Sequence, residues 1–271
     1  MRNVALLVVL VAGAAALTAF LLQGRILFQG ARASEQRHQE LRDAYPHVEE
    51  QSLIAADGVK LHGWLVKSTR RDPSPLVIYF GGNGEEVSWM ADRASELAGW
   101  SLLLMSYRGY GLSEGRPTER KLLEDALAVY DRIARRQDID GERIVAMGRS
   151  LGSGIAVYLA SERIVSGTIL ITPYDSIAAV AHERFPFLPV RLLLRHRFEA
   201  ASWAAEVCVP MLALLAAEDS VIPPRRSQGL VSAWGGPREV HLLEGVGHNS
   251  IDRHPAYWRS IERFLLELET P

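Results

Sequence analysis

Short apolar runs alternate with amphipathic segments through most of this chain. Two β-rich runs, residues 49–55 and 61–67, flank an Asp-Gly pair that is typical of a hairpin turn. Helical periodicity occupies residues 87–98, 118–136 and 154–161. Six further runs have the length and composition of buried strands, at residues 76–80, 102–107, 144–147, 168–171, 211–215 and 240–243. Buried strands that alternate with helices predict an α/β fold, with a mostly parallel eight-stranded sheet and helices on both faces.

An apolar segment precedes this pattern. Residues 4–22 contain no charged side chain, and as a helix they would extend ~28 Å, close to the ~30 Å hydrocarbon core of a bilayer. We therefore predict that residues 1–23 form a retained single-pass membrane anchor, with a cleaved signal peptide or a buried core helix as the alternatives. Residues 24–46 predict a polar juxtamembrane linker, and residues 47–271 a globular domain. Arginines on both sides of the apolar segment leave the side of the membrane open.

The charge and cysteine content of the chain argue against some kinds of partner and site. Lysine and arginine total 30 against 32 acidic residues, a formal net charge of −2, so no strong basic field favours nucleic acid as a partner. Cys208 is the single cysteine, which excludes a disulfide framework within the chain and a thiolate metal site. Its apolar neighbours predict that Cys208 is buried and unreactive.

The most informative motif follows the strand predicted at residues 144–147. Residues 148–152 read Gly-Arg-Ser-Leu-Gly, the Gly-x-Ser-x-Gly pattern that holds a serine on a sharp turn between a strand and a helix. Such a turn exposes the serine hydroxyl above the sheet, and the flanking glycines let strand and helix approach closely. Ser150 is therefore the candidate nucleophile, with a structural serine at a helix N-terminus as the alternative.

A serine hydroxyl needs a base to take its proton, and the base needs an acid to orient it. Asp219 follows the seventh predicted strand, and His248 lies in a glycine-bounded loop after the eighth. Because the carboxyl ends of parallel strands share one edge of a sheet, we expect Ser150, Asp219 and His248 to meet there. Glu218 and Asp175 are alternative acids. A helix cap at Asp219 with a surface histidine at His248 is the non-catalytic alternative.

The tetrahedral intermediate of acyl transfer needs preorganised N–H donors for its oxyanion. The residue after the nucleophile, Leu151, supplies one candidate donor. The second candidate is Asn83, in the Gly-Gly-Asn-Gly turn at residues 81–84 that follows the third predicted strand, since glycines allow the backbone close to a substrate. A plain structural turn is the alternative for this loop. The predicted constellation requires no metal and no cofactor.

Residues 174–206 are too long for a simple connection between the sixth and seventh strands, and they predict a cap-like insertion over the site. They contain an amphipathic stretch, residues 190–198, with leucines between arginines. We predict that its apolar face, with Leu192, Leu193 and Leu194, admits acyl chains while the arginines contact lipid headgroups. An amphipathic helix that packs on the domain is the alternative.

Four motifs in this chain resemble signatures of a known family. They are Phe80-Gly81-Gly82-Asn83-Gly84, Ser106-Tyr107-Arg108-Gly109-Tyr110-Gly111, Gly148-Arg149-Ser150-Leu151-Gly152 and Gly247-His248-Asn249. With them, residues 49–268 resemble the α/β-hydrolase superfamily and, within it, the Bem46-like group of membrane-anchored serine hydrolases. The resemblance implies the hydrolase fold and a triad of Ser150, Asp219 and His248, with Asn83 as an oxyanion donor. The chain departs from the group at Gly81, where the group often has histidine.

These features together predict a membrane-anchored serine hydrolase. Ser150 would form an acyl-enzyme from an ester or thioester, and the substrate would be a small molecule or a lipid that carries an acyl group. Two alternatives stay open at this point, an amidase or peptidase of the same fold and a non-catalytic binding module that is tethered to the membrane.

Overall fold

The computed structural model describes residues 20, 23–32, 35–44, 47–187 and 189–269. The predicted anchor, residues 1–23, lies outside these residues apart from positions 20 and 23. Within the described ranges, no helix is long and apolar enough to cross a membrane. The described sheet lies entirely within the globular domain that the sequence predicts.

Eight strands form one sheet, as the apolar runs predict. The strands are β1 (Val48–Ile54), β2 (Lys60–Val66), β3 (Ser74–Phe80), β4 (Ser101–Met105), β5 (Ile139–Arg149), β6 (Gly167–Ile171), β7 (Met211–Ala216) and β8 (Arg238–Leu243). Their spatial order is β1-β2-β4-β3-β5-β6-β7-β8. β2 pairs antiparallel with both β1 and β4, whereas all other neighbours are parallel. β5 is longer than predicted and extends to Arg149, directly before the candidate nucleophile.

Helices cover both faces of this sheet. The α-helices are α1 (Glu35–Ala44), α2 (Glu119–Ile133), α3 (Leu151–Glu162), α4 (Ile177–Arg184), α5 (Val190–Leu193), α6 (Ala200–Ala204), α7 (Pro224–Ala233) and α8 (Ala256–Glu267), and the 3-10 helices are Val87–Glu96 and Ile251–Arg253. Within the helix predicted over residues 87–98, Val87–Glu96 form a 3-10 helix, whose first turn is capped by the Glu86 carboxylate. α2 begins after Thr118, because the threonine hydroxyl accepts a hydrogen bond from the Lys121 N–H.

The apolar side chains of the strands divide between two cores. In β5, Ile144 and Ala146 face a core with α2, α3 and α7, whereas Val145 and Met147 face a core with α8 and the 3-10 helix at Val87–Glu96. All four strand side chains are fully buried. Because successive side chains of a strand point to opposite faces, a strand with a core on each side has a continuous apolar sequence.

The segment predicted as a linker packs against the domain. Residues 23–27 are helical, and α1 occupies most of the later part of the segment. Phe28 joins the core on one face of the sheet, and Leu41 joins the core on the other face. His38 of α1 is also buried, with its ring against Trp64 of β2. The described residues between the predicted anchor and the sheet are thus part of the folded domain.

The described residues of the insertion at residues 174–206 differ in exposure along its length. α4 and α5 flank an exposed turn that contains Phe187. In the second half the chain returns to the core, where Phe198 and Ala200 are fully buried. The amphipathic stretch at residues 190–198 is helical only over α5, since the backbone is extended at Leu194. It then turns inward at Phe198, which has a positive φ of 38°.

The prediction that Cys208 is buried is wrong. Its side chain is exposed, because the chain before β7 directs Val207 into the core and leaves the next side chain on the outside. Apolar neighbours in the sequence do not determine which side of an irregular segment a residue occupies.

Candidate active site

Ser150 lies on a sharp turn that connects β5 to the first residue of α3. Its φ of 50° is a left-handed value that few non-glycine residues adopt. The Ser150 N–H donates a hydrogen bond to the Ile171 carbonyl of β6 at 2.9 Å. Gly152 is required beside it, because a Cβ at that position would lie 2.0 Å from the Phe80 carbonyl oxygen. The close approach of α3 to β3 therefore depends on this glycine.

The structure brings the candidate acid and base to Ser150 at the carboxyl edge of the sheet. Asp219 follows β7, and His248 follows β8. The His248 Nε2 atom lies 2.9 Å from the Ser150 Oγ atom, and the His248 Nδ1 atom lies 2.7 Å from the Asp219 Oδ2 atom. Asp219 and His248 are 7% and 9% exposed. The three side chains thus form one hydrogen-bonded chain, in the order of acid, base and nucleophile that hydroxyl activation needs.

The loop after β7 fixes the Asp219 carboxylate. Its Oδ1 atom accepts hydrogen bonds from the N–H groups of Val221 at 2.8 Å and Ile222 at 2.7 Å. Its Oδ2 atom faces His248. Because a carboxylate only accepts hydrogen bonds, the imidazole carries its proton on Nδ1, and Nε2 is left to accept the proton of the Ser150 hydroxyl.

The alternative acids do not contact His248. Asp175 accepts hydrogen bonds from the Ser176 N–H and from Arg226, and Glu218 is exposed. Asp219 is therefore the candidate acid that the structure joins to the base. In the part of the chain that the structure describes, no group of three or more His, Cys, Asp or Glu side chains is arranged to hold a metal ion.

The Gly-Gly-Asn-Gly turn at residues 81–84, called the glycine loop below, lies beside the candidate nucleophile. A Cβ at Gly82 would be 3.6 Å from the Ser150 Cβ. Leu151 is the first residue of α3, directly after Ser150. The N–H groups of Leu151 and of Asn83 in the glycine loop thus belong to the two segments that flank the serine, and their assignment as oxyanion donors stays a prediction.

The Asn83 side chain anchors the glycine loop from the outside. Its Oδ1 atom accepts hydrogen bonds from the Gln29 N–H at 2.8 Å and from the Tyr110 hydroxyl at 2.9 Å. Burial raises the pKa of Tyr110 to about 12, so its hydroxyl keeps its proton near neutral pH and can donate. A residue of the segment predicted as a linker, Gln29, therefore contacts a loop of the candidate site.

The sequence patterns do not identify two partly buried charged residues at this site. Glu85 follows the glycine loop and accepts a hydrogen bond from the Gly82 N–H at 2.6 Å. Arg149 precedes Ser150, and its Nη1 atom lies 3.6 Å from the Glu85 Oε2 atom. The available signal is their position beside two glycine motifs. Their pairing depends on how the glycine loop folds back, and no spacing rule reveals that path.

Comparison with known proteins shows the family of this chain. The profile of the serine aminopeptidase family S33 matches residues 71–195, which include the glycine loop and Ser150. The uncharacterized protein Rv2307c of Mycobacterium tuberculosis is 36% identical over 195 residues, which are 71% of this chain and 69% of that protein. The α/β-hydrolase domain-containing protein WAV2 of Arabidopsis thaliana is 30% identical over 190 residues, which are 64% of this chain and 62% of that protein. The chain belongs to the α/β-hydrolase superfamily.

A yeast relative and two solved structures extend the comparison of this α/β-hydrolase. The uncharacterized membrane protein YNL320W of Saccharomyces cerevisiae is 29% identical over 259 residues, with 92% of this chain and 91% of the relative covered. An α/β-hydrolase from Vibrio vulnificus has a TM-score of 0.72 at 20% identity, with 93% of each chain covered. The esterase PF2001 of Pyrococcus furiosus has a TM-score of 0.67 at 17% identity, with 88% of this chain and 96% of the esterase covered. At these identities the likeness to the two structures is one of fold, and the narrower resemblance to the Bem46-like group stays a prediction.

Proposed function

We propose that this α/β-hydrolase is a serine hydrolase that cleaves esters or thioesters through an acyl-enzyme at Ser150. The observation that carries the proposal is the hydrogen-bonded chain from Asp219 through His248 to the Ser150 Oγ atom. A carboxylate, an imidazole and a serine in this order activate the hydroxyl for attack on a carbonyl carbon. The left-handed φ of Ser150 also supports the proposal, because backbone strain of this kind concentrates at functional sites.

In the acylation step, the Ser150 Oγ atom bonds to the carbonyl carbon while His248 Nε2 takes the hydroxyl proton. The Asp219 carboxylate stabilises the imidazolium, and the N–H groups of Leu151 and Asn83 stabilise the oxyanion. When the intermediate collapses, the bond to the leaving group breaks and His248 gives its proton to the leaving oxygen or sulfur. In deacylation, His248 takes a proton from water as the water oxygen bonds to the acyl carbon. The bond between that carbon and the Ser150 Oγ atom then breaks, His248 gives the proton to the Oγ atom, and the acid product leaves.

The state of Glu85 favours acyl esters over aminoacyl amides. An aminopeptidase substrate carries an ammonium group, which needs a carboxylate with free acceptor capacity. Glu85, beside the glycine loop, lies next to the Arg149 guanidinium and already accepts three hydrogen bonds. An amidase or peptidase is nevertheless the second candidate, since the matched family profile is named for a serine aminopeptidase.

The proposal predicts that the full chain reacts with a fluorophosphonate probe and hydrolyses acyl esters. We expect kcat/KM for a p-nitrophenyl acyl ester to exceed that for an aminoacyl p-nitroanilide of similar size by at least about tenfold, or ~1.4 kcal/mol in transition-state free energy. Labelling together with faster anilide hydrolysis would reassign the protein as an amidase or peptidase. A folded chain that is neither labelled nor active on either substrate would favour the non-catalytic binding module.

We further propose that the hydrolase acts at a membrane. The apolar sequence of residues 4–22 supports a tether, and the yeast relative is named a membrane protein. Directly after this segment, the Gln23 side chain donates a hydrogen bond to the Leu193 carbonyl and accepts one from the Arg195 N–H. A tether that ends at Gln23 would therefore hold the middle of the insertion, at Leu193 and Arg195, close to the bilayer.

Exposed apolar side chains support an orientation with this face toward lipid. Ile26 is 61% exposed, and in the insertion Phe185 and Phe187 are 53% and 98% exposed. The free energy falls when a bilayer covers apolar side chains of this size. The insertion follows β6, at the edge of the sheet that holds Ser150, so this orientation turns the edge with the candidate site toward the bilayer.

A depth measurement on the full chain in phosphatidylcholine vesicles tests this orientation. Cys208→Ser removes the native thiol, and Phe187→Cys or Ile164→Cys then carries an environment-sensitive fluorophore. Ile164 is the matched control, because it is 83% exposed but lies between α3 and β6, at the opposite edge of the sheet. We expect spin-labelled phospholipid to quench the fluorophore at position 187 and to leave the fluorophore at position 164 unquenched. Equal quenching at the two positions would contradict the orientation.

A further inference from the structure

A partly buried carboxylate that the proposed mechanism does not use holds the glycine loop. The Glu85 side chain is 10% exposed. Its Oε1 atom accepts hydrogen bonds from the Tyr79 hydroxyl at 2.6 Å and from the Trp89 Nε1–H at 2.7 Å. Its Oε2 atom accepts a hydrogen bond from the Gly82 N–H at 2.6 Å. One carboxylate thus connects β3, the 3-10 helix at Val87–Glu96 and the glycine loop.

Arg149 extends this network to the candidate base. Its side chain is 16% exposed, with Nη1 facing Glu85, and its Nη2 atom donates a hydrogen bond to the His248 carbonyl at 3.3 Å. Burial opposes the guanidinium charge, but the neighbouring Tyr79 and Glu85 raise the pKa of Arg149 above its usual value. The pair of Arg149 and Glu85 therefore links the glycine loop to the loop that carries His248.

We propose that Glu85 is a positioning residue for the oxyanion site of this hydrolase. The Glu85 carboxylate accepts a hydrogen bond from the Gly82 N–H, so this N–H does not point at the substrate. The same hydrogen bond holds the following peptide unit, which carries the Asn83 N–H, in place. A Cβ at Gly82 would lie 3.6 Å from the Ser150 Cβ, so the glycine loop runs beside the nucleophile and a small shift of it would move the Asn83 donor relative to the reacting carbonyl. The inference rests on the proposed serine hydrolase function and deepens it.

Only a carboxylate satisfies all the groups around Glu85. Each of its oxygens faces at least one group that can donate but not accept, the Trp89 indole N–H at Oε1 and the Gly82 N–H at Oε2. Glutamine has the same shape, but its NH2 group would meet one of these donors whichever way the amide is turned. Glu85→Gln is therefore expected to release either the glycine loop or the indole from its hydrogen bond.

The test compares an oxygen ester with its thionoester, in which sulfur replaces the carbonyl oxygen. N–H donors stabilise a developing oxyanion better than the larger and weakly accepting sulfur, so the ratio of the two kcat/KM values reports how well the donors are aligned. After active-site titration with the fluorophosphonate, we expect Glu85→Gln to lower kcat for the oxygen ester by about 10²-fold, with a smaller change in KM. The oxygen-to-sulfur ratio is expected to fall by about tenfold. A purely structural role would lower the titratable fraction and leave the ratio unchanged.

Two further variants make the result decisive. Glu86→Gln is the matched control, because the Glu86 carboxylate contacts Ser88 at the start of the 3-10 helix, and this variant should keep the wild-type ratio. Glu85→Asp keeps the charge opposite Arg149 but is one methylene too short to reach both sets of donors, so it should lower the ratio even where Glu85→Gln does not fold. Wild-type ratios in the titrated Glu85 variants would overturn the positioning role. A wild type without ester turnover would instead overturn the proposed hydrolase function, and the positioning role with it.

Discussion

Ser150→Ala and His248→Ala are each expected to abolish fluorophosphonate labelling and to lower kcat for an acyl ester by about 10⁴- to 10⁶-fold. The first change removes the attacking oxygen. The second leaves the Ser150 hydroxyl without the Nε2 acceptor that lies 2.9 Å away. A nucleophile and its base act as one unit. The double variant should therefore be as active as the less active of the two single variants. In-gel fluorescence of the labelled protein and steady-state turnover measure both effects.

Neighbouring residues of the same type serve as controls for these two variants. Ser153 is buried three residues after Ser150, and its hydroxyl donates a hydrogen bond to the Ser150 carbonyl at 2.7 Å. His241 lies on β8 and contacts Glu239. Ser153→Ala and His241→Ala should both keep the label. Full labelling of Ser150→Ala, with loss of the label in Ser153→Ala, would mean that the nucleophile is a different serine.

The sheet could be predicted because its strands are buried on both faces. Residues 144–147 of β5 alternate between the two cores, so every position has to be apolar, and the run stands out from the helices around it. The two antiparallel strands could be predicted from the turn at Asp57-Gly58, which leaves few other ways to connect them. These features are local in the sequence, and they carry most of the information about the fold.

The sequence could predict that the three residues of the hydrogen-bonded chain lie close together, because of the topology of the sheet. Ser150, Asp219 and His248 each follow a strand of a parallel sheet, and parallel strands direct such residues to one edge. The sequence already favours Asp219 over Asp175, although both residues follow strands, and in the structure Asp219 is the one that contacts His248. Asp175 instead lies against Arg226, a contact that depends on where α7 packs.

The contacts that hold the glycine loop in place could not be predicted from the sequence. They join segments that are distant in the chain or that turn in ways no local pattern indicates. Gln29 reaches Asn83 across 54 residues, and Arg149 reaches Glu85 only because the glycine loop folds back toward the sheet. α5 ends at Leu193, and the chain then buries Phe198, although the composition of residues 190–198 is that of an amphipathic helix. Periodicity describes one element at a time, and these contacts arise between elements.

Two contacts from different parts of the chain hold the glycine loop. Glu85 binds the Gly82 N–H from within the domain, and the Gln29 N–H binds the Asn83 side chain from the N-terminal segment. Both contacts fix the peptide units next to Ser150 before any substrate binds. Preorganised donors of this kind contribute to catalysis because they need no rearrangement when negative charge develops on the substrate.

Asp219→Asn is expected to lower kcat by about 10⁴-fold and to leave the fold intact. The N–H groups of Val221 and Ile222 face the Oδ1 position at 2.8 Å and 2.7 Å, so the amide oxygen takes that position and the NH2 group points at His248. The imidazole then accepts at Nδ1 and carries its proton on Nε2. In this tautomer it presents a proton to the Ser150 hydroxyl and cannot take one from it. Ester turnover after active-site titration measures the fall in kcat. Thermal unfolding measures whether the fold is intact.

The two alternative acids are the controls for Asp219→Asn. Glu218→Gln alters the exposed neighbour in the same loop, and Asp175→Asn alters a carboxylate whose partners are Arg226 and the Ser176 N–H. Both variants should turn over the ester at the wild-type rate, since neither side chain contacts the imidazole. Turnover that survives in Asp219→Asn would contradict the role of Asp219, because the two backbone donors leave the asparagine amide no orientation that restores the wild-type tautomer of the base.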